Sequence, residues 1–317
     1  MRSLDALTFQ EVAKMSDSDA RTALEALLWP DGVVCPRCNG RDIVAVQGGR
    51  AGLYRCSDCN RARTANQFTV TVGTIFEDSH IGLSKWLQAF AMMCASKKGV
   101  SALQLQRQLG LGSYRSAWHM AHRIRHALTA TDPPRSLSGT IEADETYVGG
   151  KPRYRGKAKH GITGRGTDKA PVLAMLERDG RVRAFHMKSL NAGQMQKHIV
   201  DTVDLTRSRL MTDEYPAYPG IGQRFKGGHK TVKHSAKEYA RGDAHVNTAE
   251  SFFALFKRGI HGAFHHVSKK HLDRYCDEFE FRWDHRKTTD AHRTVAALGR
   301  TKGRRLMYRD LVGKVAV

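Results

Sequence analysis

The chain has 317 residues, 40% of them hydrophobic and 26% charged, and its 52 Lys and Arg against 31 Asp and Glu give a formal net charge of +21. This is the composition of a folded chain long enough for two or three domains, which excludes a disordered or fibrous one. So basic a surface attracts polyanions, nucleic acid first. The least charged long stretch, WLQAFAMMCAS at 86–96, is too short to span a bilayer. The N-terminal MRSLDALTFQEVAK lacks the apolar core of a signal peptide, so a soluble cytoplasmic protein is expected.

Residues 1–30 read as one or two helices ending at Trp29-Pro30, with five acids against three bases, so the positive charge lies elsewhere. Over 31–75 four of the six cysteines fall as Cys35, Cys38, Cys56 and Cys59: C-x2-C, 17 intervening residues, C-x2-C. That is the spacing of a four-thiolate site for one structural Zn²⁺, and VVCPRCNG and LYRCSDCN supply the turns of a zinc ribbon. Two disulfides are the other reading of four cysteines, but nothing in the sequence suggests export to an oxidising compartment. Cys94 and Cys276 sit in helical patterns and are expected as buried, inert thiols.

The segment 76–132 opens with an apolar-striped helix at 83–96. VSALQLQRQLG and SYRSAWHMAHRIRHAL, joined across Leu111-Gly112, then have the outline of a helix-turn-helix. In the second helix Arg115, His119, His122, Arg123 and His126 recur every three or four residues, opposite Ala117, Met120, Ala121, Ile124 and Leu128. A basic face of this kind suits a recognition helix in a major groove, and Arg115, His119 and Arg123 are its candidate DNA contacts. The same pattern also describes a core helix with a solvated charged side.

After Pro133-Pro134, read as a linker, the pattern changes to strands. SGTIEADETYVGG comes first, then PVLAMLERDGRVRAFHMKS, whose two apolar runs meet at the hairpin pair Asp179-Gly180. A helix fits 191–203, SRLMTDEYPAY is the next strand, HKTVKHSAKEYA holds a further short one, and NTAESFFALFKRG and SKKHLDRYCDEFEFRWDHRK are helices. This order predicts an α/β domain with a mixed sheet over 135–295, followed by a basic tail, 296–317. Between the first two strands KPRYRGKAKHGITGRGTDK, 151–169, carries seven Lys or Arg, one acid and four Gly, a loop suited to tracking a DNA backbone.

The sequence places acids in its strands: IEADETYVGG at 141–150 and LMTDEYPAY at 210–218. Alternation puts Glu142, Asp144 and Thr146 on one side of the first and Glu145 on the other, and puts Met211, Asp213 and Tyr215 together on the second. Glu250 opens a helix whose core stripe is Phe252, Phe253, Phe256 and Ile260, and Lys257, two turns on, projects from the same face. Each acid has a structural reading. Asn247 with Glu250 three residues later is a capping-box pattern, and Asp144 or Asp213 alone is an ordinary strand-end acceptor. Converging together, the three would repel unless a cation lay between them, and an oxygen-rich set suits Mg²⁺ or Mn²⁺. A pair of such ions serves in-line phosphoryl displacement.

Asp144, Asp213 and Glu250, with 36 residues between the last two and Lys257 seven after the Glu, resemble the DDE signature of bacterial insertion-sequence transposases. The order of zinc ribbon, helical segment, IEADETYVGG, TDEYPAY and VNTAESFFALFKRG is similar to the group with an N-terminal zinc ribbon, over about residues 20–290. The resemblance implies an RNase H-like catalytic domain in which Asp144, Asp213 and Glu250 hold the metal pair and Lys257 contacts DNA near the cleaved phosphate. It implies hydrolysis at the element's ends and transfer of the freed 3′-OH into target DNA, by a homo-oligomer on DNA associated with the nucleoid. Some relatives replace the last acid by Asn or His, and here His245 and Asn247 stand close to Glu250. The rival readings are a zinc-ribbon DNA-binding regulator without catalysis and an RNase H-type nuclease.

Overall fold

The computed structural model describes residues 7–131, 133, 135–150, 169–236, 238 and 240–313. The basic loop expected at 151–169 lies, but for Lys169, outside the described residues, as do Pro134 of the expected linker and the last four residues of the expected tail. The chain divides into two compact units, one of residues 1–96, 100–128 and 287–317, the other of 97–99 and 129–286.

The first unit begins with α1 (Phe9–Ala13) and α2 (Asp17–Leu28), each started by a capping box, from Thr8 with Glu11 and from Ser16 with Asp19. In these boxes the cap hydroxyl and the acid three residues on satisfy two backbone donors reciprocally. A three-stranded antiparallel sheet follows, β1 (Ile43–Ala45), β2 (Tyr54–Cys56) and β3 (Gln67–Phe68), with α3 (Ser57–Arg61) after β2. Next come α4 (Leu83–Ala95), α5 (Ala102–Gln108) and α6 (Tyr114–Leu128). Trp86, Leu87, Phe90 and Met93 of α4 and Leu105 of α5 are buried, giving the apolar stripes their partners.

The second unit is built on a five-stranded mixed sheet: β4 (Leu137–Val148), β5 (Ala170–Glu177), β6 (Val182–His186), β7 (Val203–Thr212) and β8 (His229–Thr231). Its order is β6-β5-β4-β7-β8, with β4, β5 and β6 an antiparallel meander and β7 and β8 parallel to β4, which is the RNase H-like arrangement. The β5–β6 hairpin turns at Asp179, whose φ of 64° is the left-handed conformation that Asn, Asp and Gly tolerate best. The parallel connections run through α7 (Ala192–Thr202) and α8 (Tyr218–Gly222). These helices cover one face of the sheet, where Met195, Ile199, Tyr218 and Ile221 meet Ile141, Ala143, Leu173, Met175 and Leu210. On the other face α9 (Asn247–Gly259) and α10 (Leu272–Asp284) bury Phe252, Phe253, Phe256, Phe279 and Trp283 against Val172, Ala174, Leu176 and Val182. Helices on both faces bury both sides of the central strands, so β5 reads as a nearly continuous apolar run.

The chain then returns to the first unit with α11 (Asp290–Gly299) and α12 (Tyr308–Val312). Ala291, Ala297, Leu298 and Leu311 are buried, and the Arg293 Nη1 donates to the Cys94 carbonyl of α4 at 2.8 Å. The structural boundary therefore falls at 286/287, ahead of the boundary read at 295/296. Within the stretch read as a tail, Ala297, Leu298, Thr301, Leu306 and Leu311 are buried.

Candidate functional site

The last paired residues of β4 and β7 are Glu142 and Met211, and two positions beyond each stand Asp144 and Asp213. Asp144 lies within β4 and Asp213 one residue past the end of β7, and the Asp213 carboxylate is near enough to raise the Asp144 carboxyl. Ile141 and Ala143 point to α7 and α8, leaving Glu142 and Asp144 toward α9, which carries Glu250. Glu145 points the other way and accepts the Tyr218 hydroxyl at 2.8 Å. Tyr215 leaves the expected face: β7 ends at Thr212, and Tyr215 packs on the α7–α8 side with its hydroxyl on the Leu190 carbonyl at 2.6 Å. Alternation fails there because the chain has left the sheet.

The Asp144 carboxyl is pushed up to about 7 by its burial first and then by the Glu145 carboxylate, with Asp213 and Glu250 adding in the same sense. A hydrogen bond from the Glu145 backbone N–H to Oδ1, 2.7 Å, opposes the shift. Three carboxylates thus act electrostatically on one half-buried carboxyl, although the ligand atoms of Asp144, Asp213 and Glu250 do not all lie within 4.8 Å of one another. Asp213 is half-buried and accepts the Tyr215 N–H at 3.0 Å, while Glu214 is exposed and takes the Ser235 N–H at 3.1 Å. Glu250 is exposed, with the His234 Nδ1 4.0 Å from its Oε1.

The capping box expected at α9 does not form. Val246 is the N-cap, it offers no side-chain bond, and Asn247 is the first helical residue, so Glu250 lies one position too far along to reach back and is not held as a cap. The capping is done by Glu142, for which the sequence suggested no role. Its carboxylate is fully buried and accepts the Thr248 and Ala249 N–H groups at 2.8 and 3.2 Å and the Thr248 hydroxyl at 2.9 Å. Arg178 pairs with it at 2.9 Å. The sequence signal was available: a Glu inside a strand, on the face turned toward a helix, needs a counter-charge and donors.

In the first unit the four cysteines come together. Sγ of Cys35 and Cys59 are 3.7 Å apart and those of Cys38 and Cys56 3.5 Å, close to the roughly 3.8 Å edge of a tetrahedron with Zn–S bonds of about 2.3 Å. No other group among the described residues gathers three or more His, Cys, Asp or Glu ligand atoms within 4.8 Å. Burial raises the Cys35 thiol, but the Cys38 and Arg37 backbone N–H groups outweigh it and bring it to about 7. The donor set fits zinc.

Residues 136–284 match the ISXO2-like transposase domain, and residues 15–62 match the transposase zinc-ribbon domain. The chain belongs to the ISXO2-like transposases with an N-terminal zinc ribbon. It is 29% identical over 279 residues to the "Uncharacterized protein in transposable element ISH50" of Halobacterium salinarum, an alignment covering 84% of this chain and 91% of the relative. No solved structure matches it. Among the described residues of the transposase no helix is long and apolar enough to cross a membrane.

The transposase's helix pair α5 and α6 forms as expected, but the basic face of α6 is largely covered. Arg123 is buried: Nη2 donates to the Glu77 carbonyl, the guanidinium lies 5.5 Å from the centre of the Trp86 ring, and burial brings its pKa down to about 10. His119 is half-buried, its ring 5.5 Å from that of Tyr308, and burial lowers its pKa. His122 and Arg125 are buried as well. Only Arg115 of the three candidate DNA contacts is exposed, with its guanidinium 5.8 Å from the Tyr308 ring. The one-sided reading failed because the chain beyond residue 300 returns to α6, where the Arg304 Nη1 donates to the His126 carbonyl at 2.8 Å. On the second unit Lys257 is exposed on the same side of α9 as Glu250.

Proposed function

We propose that this transposase cuts a phosphodiester at the ends of its element and joins the freed 3′-OH to target DNA, using Asp144, Asp213 and Glu250 as the ligands of one or two Mg²⁺ or Mn²⁺ ions. The observation that carries the reading is the Asp144 carboxyl, pushed up to about 7 by burial and by the carboxylates of Glu145, Asp213 and Glu250. In cleavage a water oxygen attacks phosphorus and the 3′ oxygen leaves with a proton. In joining that 3′ oxygen attacks a target phosphorus and the target's own 3′ oxygen leaves. Bound ions would lower the pKa of the attacking oxygen's proton and neutralise charge on the phosphoryl group. The chain's contribution would be to bring three carboxylates, from β4, from just past the end of β7 and from α9, around the ion.

Lys257, exposed on the Glu250 side of α9, would meet a phosphate of the bound duplex. Arg115 remains a candidate DNA contact in the first unit; Arg123 and His119 serve packing. Cys35, Cys38, Cys56 and Cys59 would hold one Zn²⁺ that fixes the ribbon. Two element ends must be joined in one event, so a homo-oligomer on DNA is the working assembly.

Asp213→Ala is the deciding variant. It is expected to lose strand transfer of a pre-cleaved end while binding that end as the unsubstituted chain does. Joining at the normal rate by this variant would remove the site, and cleavage without joining by the unsubstituted chain would leave a nuclease.

A further inference from the structure

We infer that the pair formed by buried Glu142 and half-buried Arg178 is a positioning device that sets Glu250 against Asp144. The inference rests on the carboxylate site proposed above.

Glu142 and Asp144 are two residues apart on one face of β4, so their positions are rigidly linked, about 7 Å along the strand. The donors that Glu142 accepts, the Thr248 and Ala249 N–H groups, belong to the second and third residues of α9, the two that an N-cap side chain ordinarily satisfies. Val246 cannot do this. The start of the helix is therefore fixed by a residue of the strand, and Glu250 is the next residue after the second of those donors. One carboxylate thus spans the two elements that bring Asp144 and Glu250.

Arg178 holds the other side of the joint. Its backbone N–H donates to the Thr140 carbonyl of β4 at 2.9 Å. Its Nε meets Glu142 Oε1 at 2.9 Å, Nη1 donates to the Asp243 carbonyl at 3.0 Å, and Nη2 to the His245 carbonyl at 3.2 Å. The guanidinium therefore pins the segment entering α9 while it neutralises Glu142. A capping role alone would need neither a partner in the β5–β6 turn nor a grip on the preceding loop. A largely buried carboxylate whose bonds run between two elements fixes their relative place.

The experiment uses the full chain and Mn²⁺ as probe, and reads the rise in melting temperature that the ion produces, because an ion binding the folded site raises stability with its concentration. In the unsubstituted chain Mn²⁺ is expected to raise the melting temperature, and Asp213→Ala to abolish the rise. Glu142→Gln is expected to weaken apparent Mn²⁺ affinity about 10–100-fold, the usual effect of removing a residue that orients a ligand, with strand transfer falling alongside. Thr248→Val, which removes one bond and keeps the ion pair, is expected to give a smaller loss of the same kind in a chain that folds. If Glu142→Gln and Thr248→Val lower the starting melting temperature but keep the full Mn²⁺ rise and the normal transfer rate, the pair is a stability element only and the inference falls. A missing rise in the unsubstituted chain would instead defeat the carboxylate site on which the inference rests.

Discussion

Which way the acids of β4 face was legible from the sequence: alternation separates Asp144 from Glu145, as the bond from Tyr218 to Glu145 shows. The basic residues of α6 were not legible. A helix periodicity identifies the side facing one neighbour, but α6 has neighbours on several sides, one of them supplied from beyond residue 300. Arg123 illustrates the difference in consequence. Truncating it to Ala leaves the Glu77 carbonyl without its donor and removes the guanidinium from the Trp86 ring, a change expected to cost about 1–3 kcal/mol of stability. Arg115→Ala, on the exposed surface, should stay within about 0.5 kcal/mol. Chemical denaturation of the two variants beside the unsubstituted chain measures this, and equal stability for Arg123→Ala would mean that the guanidinium serves something other than packing.

Among the elements, the strands and long helices follow from apolar period and turn chemistry, and the mixed sheet from the order of strands and helices. What the sequence does not display is how an element's polar ends are satisfied by distant parts of the chain. At α9 the expected capping box was replaced by Glu142, 106 residues from Thr248. On α10 Glu280 is buried and accepts the Ala184 N–H of β6 at 2.6 Å. Arg183 could neutralise Glu280, but it sits nearer Asp284, 2.8 Å against 3.8 Å. Burial wins, aided by Asp277, and raises the Glu280 carboxyl to about 8. The folded chain therefore holds this proton over a range where the unfolded chain, with a pKa of about 4.3, has lost it. The contribution to stability is complete below that value and disappears as pH rises through about 8. Glu280→Gln keeps an acceptor for Ala184 and cannot ionise. The stability of the unsubstituted chain relative to this variant should fall steadily between about pH 5 and 8 and level off above, read by denaturant melts at each pH; a flat difference would show that Arg183 keeps Glu280 charged throughout.

For the whole molecule the sequence order suggested a linear string of domains closed by a tail, whereas the first unit is made from both ends of the chain. The reason is that the short apolar runs after 286, VAAL at 295–298 and LMY at 306–308, are separated by a basic stretch, a pattern that looks like tail until the surface it covers is known. Leu298, Leu306 and Leu311 are each at most 5% exposed, and burial of one such side chain contributes about 1.5–3 kcal/mol. Three of them are a large share of the roughly 5–15 kcal/mol that keeps a domain folded. The Arg293 bond to Cys94 and the Arg300 bond to the Leu128 carbonyl, at 2.8 and 3.1 Å, would also be lost with this segment. A chain ending at Arg286 is therefore expected to keep a protease-resistant fragment from about 129 to 286, while residues 7–128 become susceptible to cleavage and melt at lower temperature. Limited proteolysis followed by mass measurement distinguishes the two units directly. Equal protection of 7–128 in the shortened and full-length chains would mean that the segment after 286 is an appendage, and that the first unit's core is complete without it.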